Sequence, residues 1–324
     1  MCIRDRFKGY ALFILLVILI VVSLFIGVSQ LSILDIFLLN DEQKNILFSS
    51  GIPRTVSILL SGSLLALAGL IMQQMMQNKF VSPTTAGTIE WAKLGILMSL
   101  LFFPNGHILI KLLFAVALGI IGTFLFVRLI NLIRVKEVIF VPLLGIMIGG
   151  IVSSFTTFVA LRTNALQSIG NWLTGNFAII TSSRYEVLYL TISLLILAFI
   201  FANHFTIAGM GKDFSHNLGV SYEKIINIAL FITAMLTALV VVTVGTLPFL
   251  GLIVPNIISI YRGDHLKNTL PHMFGTIFVL IADIIGRIIV YPYEINIGLT
   301  IGVFGTIIFL ILLMKGRKNY ANEL

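Results

Sequence analysis

The sequence predicts an all-α protein that crosses a membrane about ten times. Three observations lead to this prediction: the composition, the lengths of the apolar stretches and the distribution of basic residues. Hydrophobic residues make up 58% of the 324 residues and charged residues only 10%, and the mean hydropathy is +1.09. A soluble domain carries about 25% charged residues, so this composition excludes a soluble enzyme, a nucleic-acid-binding domain and a disordered chain.

The apolar stretches have the lengths of membrane helices, which need about 20 residues to cross the hydrocarbon core. We place predicted spans near residues 10–28, 55–76, 86–103, 108–133, 138–161, 187–203, 225–246, 250–261, 271–290 and 297–314. The eighth is too short to cross as a straight helix. It follows Pro248 and contains Gly251 and Pro255, both helix breakers. Because such a segment is stable only between other helices, we expect a gate at these three residues.

The basic residues predict the orientation of the chain. If the N-terminus is cytoplasmic, 14 of the 21 Lys and Arg residues fall in inner segments, six in outer segments, and Lys93 lies within a span. This is the positive-inside pattern, and it favours ten spans with both termini in the cytoplasm. It also accounts for the net charge of +8 without a nucleic-acid partner, because the basic residues are scattered rather than clustered.

The chain is predicted to be one transmembrane domain over residues 10–316, with tails at 1–9 and 317–324. Residues 1–6 are polar and do not fit the apolar stretch that follows, so we treat them as a candidate cloning or assembly scar. Cys2 is the single cysteine, which excludes an intrachain disulfide and a cysteine metal cluster. No repeat of 20–50 residues occurs that would predict a solenoid.

The motifs of common enzymes are missing from this sequence. It contains no phosphate-binding loop of the form G-x-x-x-x-G-K-[ST], no H-E-x-x-H and no G-x-S-x-G. The five histidines do not have metal-ligand spacing. We therefore predict no catalytic site, no cofactor and no metal site, and a protein that is not itself an enzyme.

A carrier driven by an ion gradient is the main alternative of a different class. Such carriers place ionisable residues within the membrane. Here Glu90 and Lys93 are three residues apart and Asp283 and Arg287 are four apart. These spacings favour pairing within one helix, and a chain of such groups forming a proton or sodium relay is not seen.

Several motifs in order resemble one family. They are I-P-R-T at 52–55, S-G-S-L-L-A-L-A-G at 61–69, K-F-V-S-P-T-T-A-G at 79–87, W-L-T-G at 172–175, P-F-L-G-L-I-V-P-N at 248–256, G-D-H at 263–265 and A-D-I-I-G-R at 282–287. Together they resemble the FecCD family, the permease subunits of iron–siderophore and cobalamin ABC importers, over residues 10–316. The wording at 79–87 is most similar to the branch that imports catecholate siderophores of the petrobactin and anguibactin kind.

This resemblance implies a function and a set of partners. The chain would be a permease in the cytoplasmic membrane of a bacterium, moving a ferric siderophore by alternating access. It would pair with a second permease, identical or related, with two ATPase subunits that hydrolyse ATP, and with an extracytoplasmic siderophore-binding protein. A cobalamin or haem importer of the same family is the alternative.

The resemblance also assigns docking of the binding protein to Arg54 and Arg287. Exposed arginines pair well with carboxylates on a partner. The alternative is that each arginine reaches the lipid head groups. Some members carry a second arginine where this chain has Gly51, so docking on that side would be weaker or would use Lys44.

Residues 203–224 occupy the place of the family's coupling helices, which insert into the ATPase. The segment is polar and contains Gly209, Gly211 and Gly219, which permit sharp turns. A plain connecting loop is the alternative, although 22 residues is long for a helix–helix connection. The predicted ATPase contacts are Asp213, Phe214, Leu218, Gly219 and Val220, with the three apolar side chains as anchors.

A translocation path for a bulky anionic cargo needs polar, uncharged walls. The side chains that could supply them are Ser61, Ser63, Gln73, Gln74, Asn78, Ser153, Ser154, Thr156 and Thr157. The equal alternative is that these groups hydrogen-bond neighbouring helices, and no residue is assigned to the cargo.

Overall fold

The computed structural model describes residues 3–26, 40–133, 139–180, 185–262 and 270–321. Every regular element in these ranges is helical, which confirms the predicted class. The α-helices are α1 (Ile3–Phe25), α2 (Asp41–Ile46), α3 (Ile52–Met75), α4 (Thr88–Phe102), α5 (Ile108–Ile133), α6 (Phe140–Arg162), α7 (Leu166–Leu173), α8 (Leu190–Ala208), α9 (Lys212–Asn217), α10 (Tyr222–Thr243), α11 (Leu250–Arg262), α12 (Leu270–Ile288) and α13 (Ile297–Ala321). A π-helical turn (Leu47–Gly51) precedes α3 and a 3₁₀ turn (Glu186–Tyr189) precedes α8. Cys2 and the 263–265 motif lie outside the described residues.

Each of the predicted spans overlaps a helix. Six helical stretches in the described residues are long and apolar enough to cross a membrane: Gln43–Met75, Ile108–Ile133, Phe140–Arg162, Glu186–Ala208, Tyr222–Thr243 and Leu270–Ile288. Shorter apolar stretches lie at Gly9–Phe25, Leu250–Ser259 and Ile297–Leu312, and α4 has 15 residues. The chain is thus a multi-pass membrane protein by the length and composition of its helices.

Helix α3 lies at the centre of the bundle and α6 at its periphery. Of the most apolar 18 residues in the Gln43–Met75 stretch, which contains α3, 78% are buried, whereas in α6 the corresponding share is 28%. Helix α3 packs against α8, α10, α11 and α12. Because α3 touches both the short helix α11 and the charged helix α12, its two ends organise the candidate functional residues.

Glycine permits the closest helix approaches around α3. A Cβ atom on Gly69 would lie 1.8 Å from the Gly251 carbonyl oxygen, and one on Gly62 would lie 2.8 Å from the Gly275 carbonyl oxygen. No side chain fits at either contact. These glycines bring the α3 backbone against α11 and α12, as small residues do between membrane helices.

Candidate functional sites at the two ends of the bundle

The candidate residues fall at opposite ends of α3. The helix has 24 residues, which at 1.5 Å per residue separates its ends by about 36 Å. Arg54 is in its first turn, near Arg287 of α12. At the other end, the loop after α3 contacts the 209–211 turn before α9. We call these the Arg54 end and the Gly219 end.

Arg54 binds two carboxylates from distant parts of the chain. Its Nη1 donates to Glu294 Oε1 at 2.9 Å and Oε2 at 2.8 Å. Its Nη2 donates to Asp283 Oδ1 at 2.8 Å. The Arg54 side chain is 11% exposed, against 31% for Glu294 and 2% for Asp283. The side of Glu294 is therefore the part of the network nearest the surface.

Arg287 continues the same network into the interior. It pairs with Asp283, one helical turn earlier, as the spacing predicted. It also donates to the backbone oxygens of Ser23 at 2.8 Å and Ile26 at 2.7 Å, and to Ser23 Oγ at 3.0 Å. The Arg287 side chain is 5% exposed. It thus ties α12 to the end of α1 and satisfies carbonyl groups that the helix end leaves open.

The Arg54 end is therefore a charge-balanced network of two arginines and two carboxylates. The exposed arginine forks that the docking prediction assumed are absent from this conformation, because both guanidinium groups already bind partners within the chain. The physical reason is that a charge leaving water is stable only when it is paired and hydrogen-bonded. Lys44 is 53% exposed and pairs with Asp41 at 3.4 Å. Docking itself stays a prediction.

The Gly219 end is built from a short helix between two glycine turns. Gly211 precedes α9 with φ +112° and Gly219 follows it with φ +72°. The Gly219 N–H donates to His216 O at 3.0 Å and the Val220 N–H to Ser215 O at 2.9 Å. This pair of bonds is the Schellman arrangement, which requires a left-handed residue just after the helix. A Cβ on Gly219 would meet no atom within 4 Å, so the backbone conformation alone selects glycine here.

Four of the five predicted coupling residues lie on the surface of this turn. Asp213 and Gly219 are exposed, and so are Phe214 at 47% and Leu218 at 55%. Val220 instead packs against the hydrophobic core. The residue two places after the end of α9 folds back onto the protein in a Schellman arrangement, and the contact of Val220 with the ATPase stays a prediction.

Sequence reasoning missed one exposed apolar residue at this end. Met210 is 58% exposed and lies between Gly209 and Gly211 in the turn before α9. Its signal was an apolar side chain in an otherwise polar segment. With Phe214 and Leu218 it gives the Gly219 end an apolar surface that the Arg54 network does not have.

Helix α11 has the short, interrupted form that the sequence predicted. Its 13 residues extend about 20 Å, less than the roughly 30 Å of hydrocarbon. Pro255 lacks the N–H that would bond the Gly251 carbonyl, and that carbonyl faces Gly69 of α3. Leu250, Ile253 and Val254 are at most 2% exposed, so α11 lies among other helices as expected.

Side-chain amides stabilise the irregular backbone of α11. Asn256 Nδ2 donates to Leu252 O at 2.7 Å and to Lys79 O at 2.8 Å. Gln73 Nε2 donates to Leu252 O at 3.3 Å. Both amides bind the Leu252 carbonyl, and they join α11 to the end of α3 and the loop that follows it.

The polar residues predicted to line a path separate into two groups. Ser63 Oγ lies 2.7 Å from His272 Nδ1, and the buried Thr156 donates to Val152 O at 2.7 Å. These hydroxyls bond neighbouring groups in the bundle. By contrast, Ser154 and Thr157 are exposed on α6, the least buried of the long apolar helices.

Two lysines that lie within the predicted spans have partners in the structure. Lys93 Nζ lies 2.8 Å from Glu90 Oε1, as the three-residue spacing predicted. Lys111 donates to Gly106 O at 2.6 Å and lies 5.2 Å from the centre of the Trp172 ring. Among the described residues, no group of three or more His, Cys, Asp or Glu side chains could hold a metal ion; His265 lies outside them.

Comparison with known proteins adds a family and a set of relatives. The FecCD transport family matches residues 15–315. The petrobactin import system permease protein YclN of Bacillus subtilis is 53% identical over 312 residues, 96% of this chain and 98% of the relative. The permease FatD for petrobactin of Bacillus anthracis is 37% identical, covering 94% of this chain and 90% of its own. The ferric-anguibactin permease FatD of Vibrio anguillarum is 36% identical, with 91% and 95% covered.

A solved structure has the same fold. A metal-chelate type ABC transporter in an inward-facing conformation matches with a TM-score of 0.80 at 24% identity, covering 94% of this chain and 98% of that chain. At this identity the match supports the fold alone. The relatives named for petrobactin and anguibactin confirm the branch that the motif at 79–87 indicated.

Proposed function

This chain belongs to the FecCD transport family, and on that premise we propose that it is the permease subunit of an ABC importer for a ferric siderophore. The observation that carries the proposal is the 53% identity, over nearly the full length of both chains, to a permease named for petrobactin import. The cargo class proposed is therefore a catecholate-type ferric siderophore. Pairing of Glu90 with Lys93 and of Asp283 with Arg287 argues against the gradient-driven carrier, because neither pair has a free charge to relay.

We propose ten crossings with both termini in the cytoplasm. The Arg54 end then faces outward and the Gly219 end faces the cytoplasm. The support is the excess of Lys and Arg in the segments assigned to the inside, together with a helix at each of the ten apolar stretches. The short helices α4 and α11 cross within the bundle by packing against longer neighbours.

The proposed partners follow from the two ends. Each permease binds one of the two ATPase subunits, which hydrolyse the ATP, through the apolar surface of Met210, Phe214 and Leu218, where exposed side chains would otherwise lie in water. The extracytoplasmic binding protein docks at the Arg54 end. A second permease, identical or related, completes the path beside α6, whose largely unburied face carries Ser154 and Thr157. The complex lies in the bacterial cytoplasmic membrane.

We propose α11 as the gate on this path. Pro255 removes one backbone hydrogen bond from α11, and side-chain hydrogen bonds with the end of α3 and the loop after it position the helix. Such a helix can move as a unit when that loop moves. Pro248 and Gly251 mark the beginning of the moving part, and Pro255 lies within it.

Uptake by cells tests the proposed function. A strain lacking this gene should lose import of labelled ferric petrobactin, and expression of the wild-type chain should restore it. Import of labelled cobalamin and of haem should be the same in both strains. Loss of cobalamin or haem uptake with normal siderophore uptake would replace the proposed cargo. If the strain lacking the gene took up every iron chelate normally, the proposed importer function would be contradicted.

A further inference from the structure

The loop that follows α3 touches both the coupling turn and the gate helix. We define this loop as the Gln73–Lys79 segment. It runs from the last turn of α3 past Met75. On one side lies the 209–211 turn that leads into α9, and on the other lies α11.

The contact with the coupling turn depends on Gln77. Its Nε2 donates to the Gly209 carbonyl oxygen at 3.1 Å. A Cβ on Gly211 would lie 3.2 Å from the same nitrogen, so the absence of a side chain at Gly211 makes room for the amide. The Gln77 side chain therefore lies against the 209–211 turn that positions α9.

The contact with α11 uses three hydrogen bonds from the same segment. The Lys79 carbonyl accepts from Asn256 Nδ2 at 2.8 Å, and Lys79 Nζ donates to Ser259 Oγ at 3.1 Å. Gln73 Nε2 donates to Leu252 O at 3.3 Å. These bonds are distributed along α11, so they fix the direction of the helix as well as its position.

Internal bonds make the segment rigid. The Asn78 N–H donates to Gln73 O at 3.0 Å, and Asn78 Oδ1 accepts from the Phe80 N–H at 2.9 Å. Asn78 is 4% exposed. Gln77 has φ +48°, a left-handed conformation that is unfavourable for a residue other than glycine. Tertiary contacts hold Gln77 in this conformation, and the hydrogen bond from its side-chain amide to the Gly209 carbonyl is one of them.

We propose that the Gln73–Lys79 segment is a rigid strut that transmits displacement of α9 to α11, with Gln77 as the positioning residue at the α9 contact. This inference rests on the proposed function, because it links the ATPase-binding end to the gate. When the ATPase subunits move α9, the 209–211 turn pushes the strut through Gln77. The strut then moves α11 through Gln73, Lys79 and Asn256.

The test compares ATP hydrolysis with import in the complete complex. The permease is reconstituted in lipid vesicles with its ATPase subunits, and loaded binding protein is supplied on the outer side. Gln77→Glu keeps the length of the side chain but replaces the donor with a carboxylate that faces the Gly209 carbonyl. Gln77→Gly removes the amide and fits the positive φ without strain. Gln43→Glu is the matched control, because Gln43 accepts from the Asn40 N–H in a capping box, a position that suits Glu equally.

Both Gln77 variants should keep hydrolysis that is stimulated by loaded binding protein. The number of siderophores imported per ATP should fall about fivefold, which corresponds to about 1 kcal/mol of lost coupling, and the control should match the wild type. A variant that lost hydrolysis and import in parallel would overturn the strut, since Gln77 would then only support the fold or the ATPase contact. An unchanged ratio would overturn it too. If the wild-type complex imported no ferric siderophore at all, the proposed function would fail first.

Discussion

The two ends of the molecule differ in the chemistry of their side chains. The Arg54 end carries four charged groups, and its arginines are 11% and 5% exposed because each is paired inside the chain. The Gly219 end leaves Met210, Phe214 and Leu218 about half exposed, on α9 and on the turns that flank it. The charges of the Arg54 end pair with one another, and the exposed side chains beside them include Tyr291 and Tyr293, whereas the Gly219 end exposes three wholly apolar side chains. Under the proposed function, we predict that the Gly219 end binds a permanent partner and the Arg54 end a partner that binds and dissociates.

The first substitution removes Asp283, the carboxylate that binds both arginines of the Arg54 end. Asp283→Asn should cause the largest effect, because it leaves two nearly buried guanidinium groups short of a countercharge. Removing one partner of a buried ion pair costs about 3–5 kcal/mol. Thermal unfolding in detergent and the yield of inserted protein measure this loss. The control is Glu186→Gln, an exposed glutamate that should behave as wild type, and an equally stable Asp283→Asn would mean that the network contributes little to the fold.

The second change breaks the Gly219 end while leaving the Arg54 end intact. Gly219→Val puts a branched residue at φ +72°, which costs about 1–2 kcal/mol and opens the turn that orients Leu218. Because a Cβ there meets no atom within 4 Å, the chain should still fold and insert.

Gly219→Val should abolish the stimulation of hydrolysis by loaded binding protein in the reconstituted complex, and docking of that protein should persist. Gly170→Val is the matched control, since a Cβ at Gly170 also meets nothing within 4 Å but the position is helical. Stimulation at the wild-type level in Gly219→Val would mean that residues 203–224 are a connector. Coupling would then belong to the 262–267 loop, most of which lies outside the described residues.

The third substitution, at Glu294, is expected to have a smaller effect. Glu294 accepts two hydrogen bonds from Arg54 Nη1, at the more exposed side of the network. If Arg54 docks a carboxylate of the binding protein, Glu294 competes with that carboxylate. Glu294→Gln should therefore tighten docking by about threefold, in the range of a single partly exposed ion pair.

This gain should shrink at high salt, because exposed charges are screened within about 10 Å at 0.1 M. Binding of loaded binding protein to permease in lipid nanodiscs, at two salt concentrations, measures both effects. Weaker docking of Glu294→Gln at low salt would assign Glu294 to the interface or to the fold instead. Reversing the charges of Arg54 and Arg287 is a poorer test, because it also disrupts contacts with Asp283 and α1.

How far the sequence predicts this structure depends on how local each feature is. The helices follow from apolar stretches, and the Asp283–Arg287 and Glu90–Lys93 pairs follow from spacing within one helix. The turn at Gly219 also has a local cause. The Arg54–Glu294 pair joins residues 240 positions apart, so the sequence shows both partners without indicating that they meet.

The surroundings of the candidate sites depend on contacts that a sequence does not show. Carboxylates from other elements reach Arg54 and leave it and Arg287 mostly buried. The Val220 side chain packs against the core because the hydrogen bonds that close α9 set its direction, and its contact with the ATPase stays a prediction. The bond between Gln77 and Gly209 spans 132 positions and has no local signal at all.

Cross-linking from single cysteines tests the central claim, that the two ends bind different partners, most directly. The chain has one cysteine, Cys2, so Cys2→Ser provides the background. Leu218→Cys and Tyr291→Cys then place one thiol at each end, at side chains that are 55% and 74% exposed. In the assembled complex, the thiol at 218 should cross-link to an ATPase subunit and the thiol at 291 to the binding protein. Cross-linking of position 218 to the binding protein, or of position 291 to an ATPase subunit, would contradict the account.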